Sequence, residues 1–452
     1  MPRLTKVLLS VALVPVLLVG GVAWYLGPIA PIATGYAAKI VCSGHFVAER
    51  SVEAMLGDLP ANPLVPFLRT SADDEAGTVT TTLLGAWGTT AHFTEGLGCT
   101  LADEDPGFTA LTTLPGPALD TPWPEGALAS PPPPGTDDEA LIAAIDLAFT
   151  EDDPDGRRRN TRAVVVVKDG ALIAERYGDG FGPDTPLLGW SMGKSLADAI
   201  VGRLVAEGAL SPDDADLRPE WREDERAAIT VQHLLTMTDG LSFDEVYDPD
   251  TDATRMLFRP GSTAGYAADQ PLVADPGTRW DYSSGTTNLV CAAAHEASGL
   301  GPELARELVF EPLGMSSAVL EPDASGQLVC SSFPYATARD WARFGQWYLD
   351  DGVWDGQRLL PEGWVEESLR HIDVDADQPY GRQWWLNEAP DGTRRMPSVP
   401  ADAAWASGNE GQQVVVIPSE DLVVVRLGFS GEFSGVEWGL EPMLAGIIDA
   451  LG

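Results

Sequence analysis

The chain has 452 residues, 44% of them hydrophobic, with 28 basic against 68 acidic side chains and a formal net charge of −40. Its length and apolar content suit one large domain with an appendage and a substantial core. So negative a field repels phosphate backbones, which excludes nucleic acid as a natural partner and disfavours strongly anionic substrates.

Arg3 and Lys6 precede an apolar run over 7–26. A positive flank followed by about 20 apolar residues predicts a transmembrane helix or signal over 1–27, which makes the membrane a partner. In a bacterium the anchor would lie in the inner membrane, with the remainder periplasmic or otherwise extracytoplasmic. Residues 27–60 read as a loop-rich exit from the membrane. Four cysteines in an exported chain point to disulfides. Three pairings are open, Cys42 with Cys99 being preferred, and Cys291 also reads as a buried thiol. No Cys or His cluster has metal-ligand spacing, so no metal is expected.

Residues 78–93 alternate in part and predict one or two strands. Residues 115–135 are proline-rich and end in Pro131-Pro132-Pro133-Pro134-Gly135, a stiff linker. This divides the chain into 1–27, an N-terminal extension and linker over 28–135, and a main domain over 136–452. Residues 137–149 have the spacing of an amphipathic helix. Two β-rich runs, 163–167 and 171–174, flank an Asp169-Gly170 turn and predict a hairpin. A second hairpin, 412–417 and 422–427 about the turn 418–421, is followed by a helix over 436–451. Helix and hairpin at one end, hairpin and helix at the other, predict an α+β fold. Its antiparallel sheet is built from both ends of the main domain and flanked by helices, and 190–370 is mostly helical.

Only four lysines occur in the chain, and Lys194 follows Ser191 by three residues in Trp190-Ser191-Met192-Gly193-Lys194-Ser195. On a helix the two share a face, which delivers a nucleophile and its base together. The lysine must be neutral to act, and a free lysine titrates near 10.4, so burial or a neighbouring cation is required. Tyr282, after the turn at Pro276-Gly277 and before an apolar helix, is placed to relay the serine proton and protonate a leaving group. In Ala406-Ser407-Gly408-Asn409, glycine lets a strand pass close to substrate, and the Asn409 N–H pairs with that of Ser191 as an oxyanion site. Each of these also has a plain structural explanation. Trp384 and Trp385 read as an acyl-pocket lining or as core packing. His233 reads as a helix-packing residue rather than a base, and Asp244, Glu245 and Tyr247 as a solvated loop in preference to a loop over the site.

Taken together, Ser191-Met192-Gly193-Lys194, Tyr282-Ser283-Ser284 and Ala406-Ser407-Gly408 resemble the motifs of the serine β-lactamase and penicillin-binding-protein superfamily. Residues 229–241, 310–315 and 338–345 are similar to further segments of it. The pattern is nearest to the branch of 6-aminohexanoate-dimer hydrolases and esterases. The resemblance spans about 140–450 and implies a serine β-lactamase-like fold with Ser191, Lys194 and Tyr282 catalytic. It also implies backbone N–H groups of Ser191 and Asn409 at the oxyanion, and Ser284, Ser407 and Gly408 in the substrate pocket. No cofactor is implied. Two positions depart from the lactamase pattern: Ser284 stands where asparagine is usual and Ala406 where lysine or histidine is usual. Loss of that cation, which would hold a lactam's carboxylate, turns the expectation towards carboxyl esters and linear amides cleaved through an acyl-enzyme. The alternatives are a penicillin-binding or D-amino-acid peptidase activity, a weak β-lactamase, or a sensing module without turnover.

Overall fold

The computed structural model describes residues 21, 24–59, 63–374, 379–431, 433 and 436–452. The expected membrane span over 7–26 lies almost wholly outside them. Among the described residues no helix is long and apolar enough to cross a membrane.

The segment expected to be loop-rich instead carries a helix, α1 (Ala30–Phe46), with Pro31 in its first turn. Two glycines of this helix are points of close packing. A Cβ on Gly35 would collide with the Phe258 carbonyl, and one on Gly44 with the Met55 side chain. α1 packs on a four-stranded antiparallel sheet, β1 (Leu68–Asp73), β2 (Thr78–Leu83), β3 (Trp87–Thr94) and β4 (Gly98–Leu101), in sequence order. A disulfide joins Cys42 of α1 to Cys99 of β4, Cα atoms 6.1 Å apart. The proline-rich stretch is held against the helices. Trp123 is buried, and the Arg343 guanidinium donates to the Pro124 and Gly126 carbonyls at 2.8 and 2.9 Å.

The second sheet has six antiparallel strands, with both ends of the main domain contributing. β5 (Thr161–Lys168) and β6 (Ala171–Tyr177) form the first hairpin, after helix α2 (Asp138–Leu147). Its turn residues Asp169 and Gly170 both have positive φ, +50° and +73°, as a two-residue turn between right-twisted strands requires. The remaining strands are β7 (Trp385–Leu386), β8 (Ala404–Gly408), β9 (Gln412–Ile417) and β10 (Leu422–Gly428). The order across the sheet is β7-β8-β9-β10-β5-β6. Its valine runs do not alternate with polar residues because both faces are covered. Val164, Val166, Val415 and Val424 pack on α2 and the C-terminal helix; Val165, Val167, Val414 and Val423 share the main core with the helical middle.

That helical layer contains α3 (Met192–Ala206), α4 (Ser284–Ser298) and α5 (Ala338–Leu349), and the C-terminal helix is α6 (Leu440–Leu451). Cys291 is not a free thiol: it is bonded to Cys330, Cα atoms 6.3 Å apart, which ties α4 to the segment ahead of α5. Ile40, Val41, Val79 and Leu101 belong to the same hydrophobic core as Leu196, Val290 and Trp341.

Candidate active site

The site forms where α3, α4 and β8 converge. Trp190 adopts φ +49° immediately before Ser191, which opens α3. A bulky residue in that region costs about 1–3 kcal/mol and persists only where its surroundings hold it. Here the Trp190 indole N–H donates to Glu410 Oε2 at 3.1 Å, and its ring meets Tyr247 edge-on at 6.1 Å. The turn presents the Ser191 hydroxyl at the helix end.

One helical turn on, Lys194 Nζ donates to Ser191 Oγ at 3.0 Å, Ser284 Oγ at 2.9 Å and the Ser331 carbonyl at 3.3 Å. Its side chain is 2% exposed. Burial lowers its pKa to about 8, against the opposing pull of the Glu245 carboxylate 4.0 Å away. Gly193 makes this arrangement possible, because a Cβ there would collide with the Cys330 carbonyl next to Ser331.

Tyr282 lies across the lysine, with Lys194 Nζ 4.7 Å from the centre of its ring. Burial pushes the phenol above its usual range and the Glu245 carboxylate adds to this, while hydrogen bonding with Ser191 and Trp385 pulls the other way. Trp385 flanks Tyr282 at 5.3 Å, with Tyr380 at 6.0 Å completing an aromatic wall.

Two residues on, Ser284 opens α4 after Ser283, whose hydroxyl accepts from Thr286 N at 3.0 Å. Ser284 N and Oγ both donate to the Glu245 carboxylate, at 2.7 and 2.6 Å. A continuous hydrogen-bond chain therefore runs from Lys194 through Ser284 to Glu245. The carboxylate faces the free N–H groups of the α4 N-terminus, where negative charge is favoured. The first turn of α4 is fixed a second time, by Thr286 Oγ1 donating to the buried Asp239 carboxylate at 2.6 Å.

On the opposite side runs β8. Gly408 has no room for a side chain, since a Cβ would strike the Gly189 carbonyl just ahead of the nucleophile turn. Ser407 accepts from Gln413 Nε2 at 3.0 Å, and Asn409, exposed, follows at the strand end. Ala406 is fully buried in the core and offers no cation.

The structure thus brings Ser191, Lys194, Tyr282, Ser284 and Trp385 together, with β8 beside them. Trp384 is corrected: it is fully buried, 4.6 Å from Tyr348 and stacked 6.0 Å from Phe344, and serves the core rather than a pocket. Of the two readings of Glu245, the structure bears out the loop over the site and not the preferred solvated loop: its carboxylate is the acceptor for Ser284. Its only sequence signal is an acidic residue in a loop, because the partner lies 39 positions away. His233 closes a capping box, its Nδ1 accepting from Thr230 N at 3.1 Å. Among the described residues no group of His, Cys, Asp and Glu could hold a metal ion.

Against known proteins, the sequence profile of the family described as Beta-lactamase matches residues 148–429. The 6-aminohexanoate-dimer hydrolase of Paenarthrobacter ureafaciens is 28% identical over 65% of this chain and 79% of its own. Esterase EstB of Burkholderia gladioli is 29% identical over 40% of this chain and 51% of its own. Among solved structures, a penicillin-binding-protein homologue from Caulobacter crescentus superposes with a TM-score of 0.53 at 18% identity. That match covers 70% of this chain and 98% of the other, a likeness of fold.

Proposed function

The chain belongs to the beta-lactamase family, and from that premise we propose that it is a serine hydrolase cleaving carboxyl esters or linear amides through an acyl-enzyme on Ser191. The observation that carries this reading is the 3.0 Å contact between Ser191 Oγ and a lysine whose burial brings its pKa to about 8. Both named relatives are by their names hydrolytic enzymes, a 6-aminohexanoate-dimer hydrolase and an esterase.

In acylation, neutral Lys194 takes the Ser191 hydroxyl proton as Oγ bonds to the substrate carbonyl carbon. Tyr282 shares that proton and passes it to the leaving alcohol or amine as the carbon–oxygen or carbon–nitrogen bond breaks. The backbone N–H groups of Ser191 and Asn409 hold the developing oxyanion, each such donor being worth about 10²–10³ in rate. Water then adds to the acyl carbon, the bond between that carbon and Ser191 Oγ breaks, and the acid departs as Ser191 regains its proton. Ser284 and Glu245 position Lys194 throughout.

The absence of a cation at Ala406 favours open-chain substrates over lactams. Assay of the full chain on p-nitrophenyl butyrate, nitrocefin and a short linear amide tests this. Ser191-dependent turnover of the ester or amide is expected. Labelling of Ser191 by a penicillin with no turnover of any substrate would instead make the chain a binding module.

A further inference from the structure

A groove of about 350 Å³ opens beside Trp190 and Asn409, the residues that flank the nucleophile turn and the end of β8. One wall is Tyr247, Pro249 and Phe258. The other is Ile32 and Ala33 of α1, with Val65 and Leu68 just before and within β1. The second wall lies outside the 148–429 stretch that matches the family.

That wall is built in rather than loosely laid on. Gly35 lets α1 come against the Phe258 backbone. Three residues past Tyr36, Lys39 pairs with Glu321 at 2.6 Å, with both side chains almost completely buried, and its ammonium lies 4.4 Å over the Phe333 ring. Phe333 in turn touches both Trp190 and Phe258. Removing one partner of such a buried pair would strand the other charge, so the contact fixes position firmly.

The lining is mainly apolar. Its carboxyl group, Glu410, is 8% exposed and held by the Trp190 indole. None of Ser191, Lys194 and Tyr282 lines the groove; it meets the site at Trp190, the residue before the nucleophile, and at Asn409, whose N–H is assigned to the oxyanion. We propose that the groove binds the apolar acyl chain of a carboxyl ester, with the alcohol directed towards Tyr282. This rests on the hydrolase reading above and adds the substrate class: esters of medium-chain carboxylic acids. Each methylene taken from water contributes about 0.8 kcal/mol, or about fourfold in kcat/KM.

The test is kcat/KM of the full chain on p-nitrophenyl acetate, butyrate and octanoate, for wild type, Ser191→Ala, Ala33→Trp and Val65→Trp. In wild type, kcat/KM is expected to climb about fourfold per methylene until the groove is filled. In Ala33→Trp and Val65→Trp, the octanoate-to-acetate ratio is expected to fall tenfold or more. That ratio does not depend on the fraction of enzyme folded, so a partly unfolded variant still reports. A flat profile in wild type, or an unchanged ratio in both groove variants, with hydrolysis still dependent on Ser191, overturns the groove assignment alone. No Ser191-dependent hydrolysis of any ester overturns the hydrolase reading and the groove with it.

Discussion

Gly193 and Cys330 meet backbone against backbone: the carbonyl oxygen of Cys330 occupies the place where a side chain at 193 would begin. The next carbonyl, Ser331 O, accepts from Lys194. The glycine inside the Ser-Met-Gly-Lys segment therefore sets the distance between α3 and the turn at 330–332 that helps hold the base.

Gly193→Ala should push that turn away. Overpacking of this kind costs about 1–3 kcal/mol, and displacement of the base by a fraction of an ångström should lower kcat/KM at least tenfold. Thermal melting and ester kinetics check both. Wild-type activity in this variant would show that the close approach is immaterial.

The pH profile follows from Lys194. Acylation needs the neutral amine, and burial brings its pKa to about 8, so kcat/KM should rise with pH through about 8 and level above it. In Glu245→Gln the hydrogen-bonding shape is kept and the negative charge is lost. A carboxylate favours the ammonium form, so its loss makes Lys194 easier to deprotonate, and the midpoint should move to lower pH. A midpoint that stays or rises would remove Glu245 from the account.

Glu410 gives a separate signature in stability. Burial raises its carboxyl from 4.5 to about 7. The folded state then holds more protons than the unfolded chain between those values, so this group's contribution is full below about 4.5 and is lost as pH rises through about 7. Denaturant melts across pH 4–8 should show the decline in wild type and a shallower one in Glu410→Gln. Equal slopes would contradict the assignment.

The Cys291–Cys330 bond closes a loop of 39 residues between α4 and the Lys194-binding carbonyl. Loop-closure arguments put such a cross-link at about 4 kcal/mol. The Cys291→Ala/Cys330→Ala variant should lose up to that amount in denaturant unfolding and lose activity as well. Unchanged stability and kinetics would mean the bond constrains nothing that matters.

Much of this was legible in the residues. The two hairpins carry their own turn chemistry, and valine runs covered on both faces are easily recognised as strands. Ser191, Lys194 and Tyr282 sit at spacings that local helix geometry explains. What escaped depends on contacts between distant parts of the chain. Residues 27–60 read as loop-rich, and only the positions of Phe258 and Met55 show Gly35 and Gly44 to be packing sites on a helix. Glu245 becomes a site residue through Ser284, and Trp384 leaves the pocket because Phe344 and Tyr348 enclose it. Adjacent residues of a strand face opposite sides, so of two neighbouring tryptophans one is free to reach Tyr282 and the other turns inward.

The central claim is the covalent step at Ser191, and mass spectrometry of full-length enzyme quenched during turnover of p-nitrophenyl butyrate and then digested tests it directly. The account predicts a butyryl adduct on the peptide containing Ser191, formed in wild type and lost in Ser191→Ala together with hydrolysis. Steady turnover without an adduct, undiminished in Ser191→Ala, would contradict it.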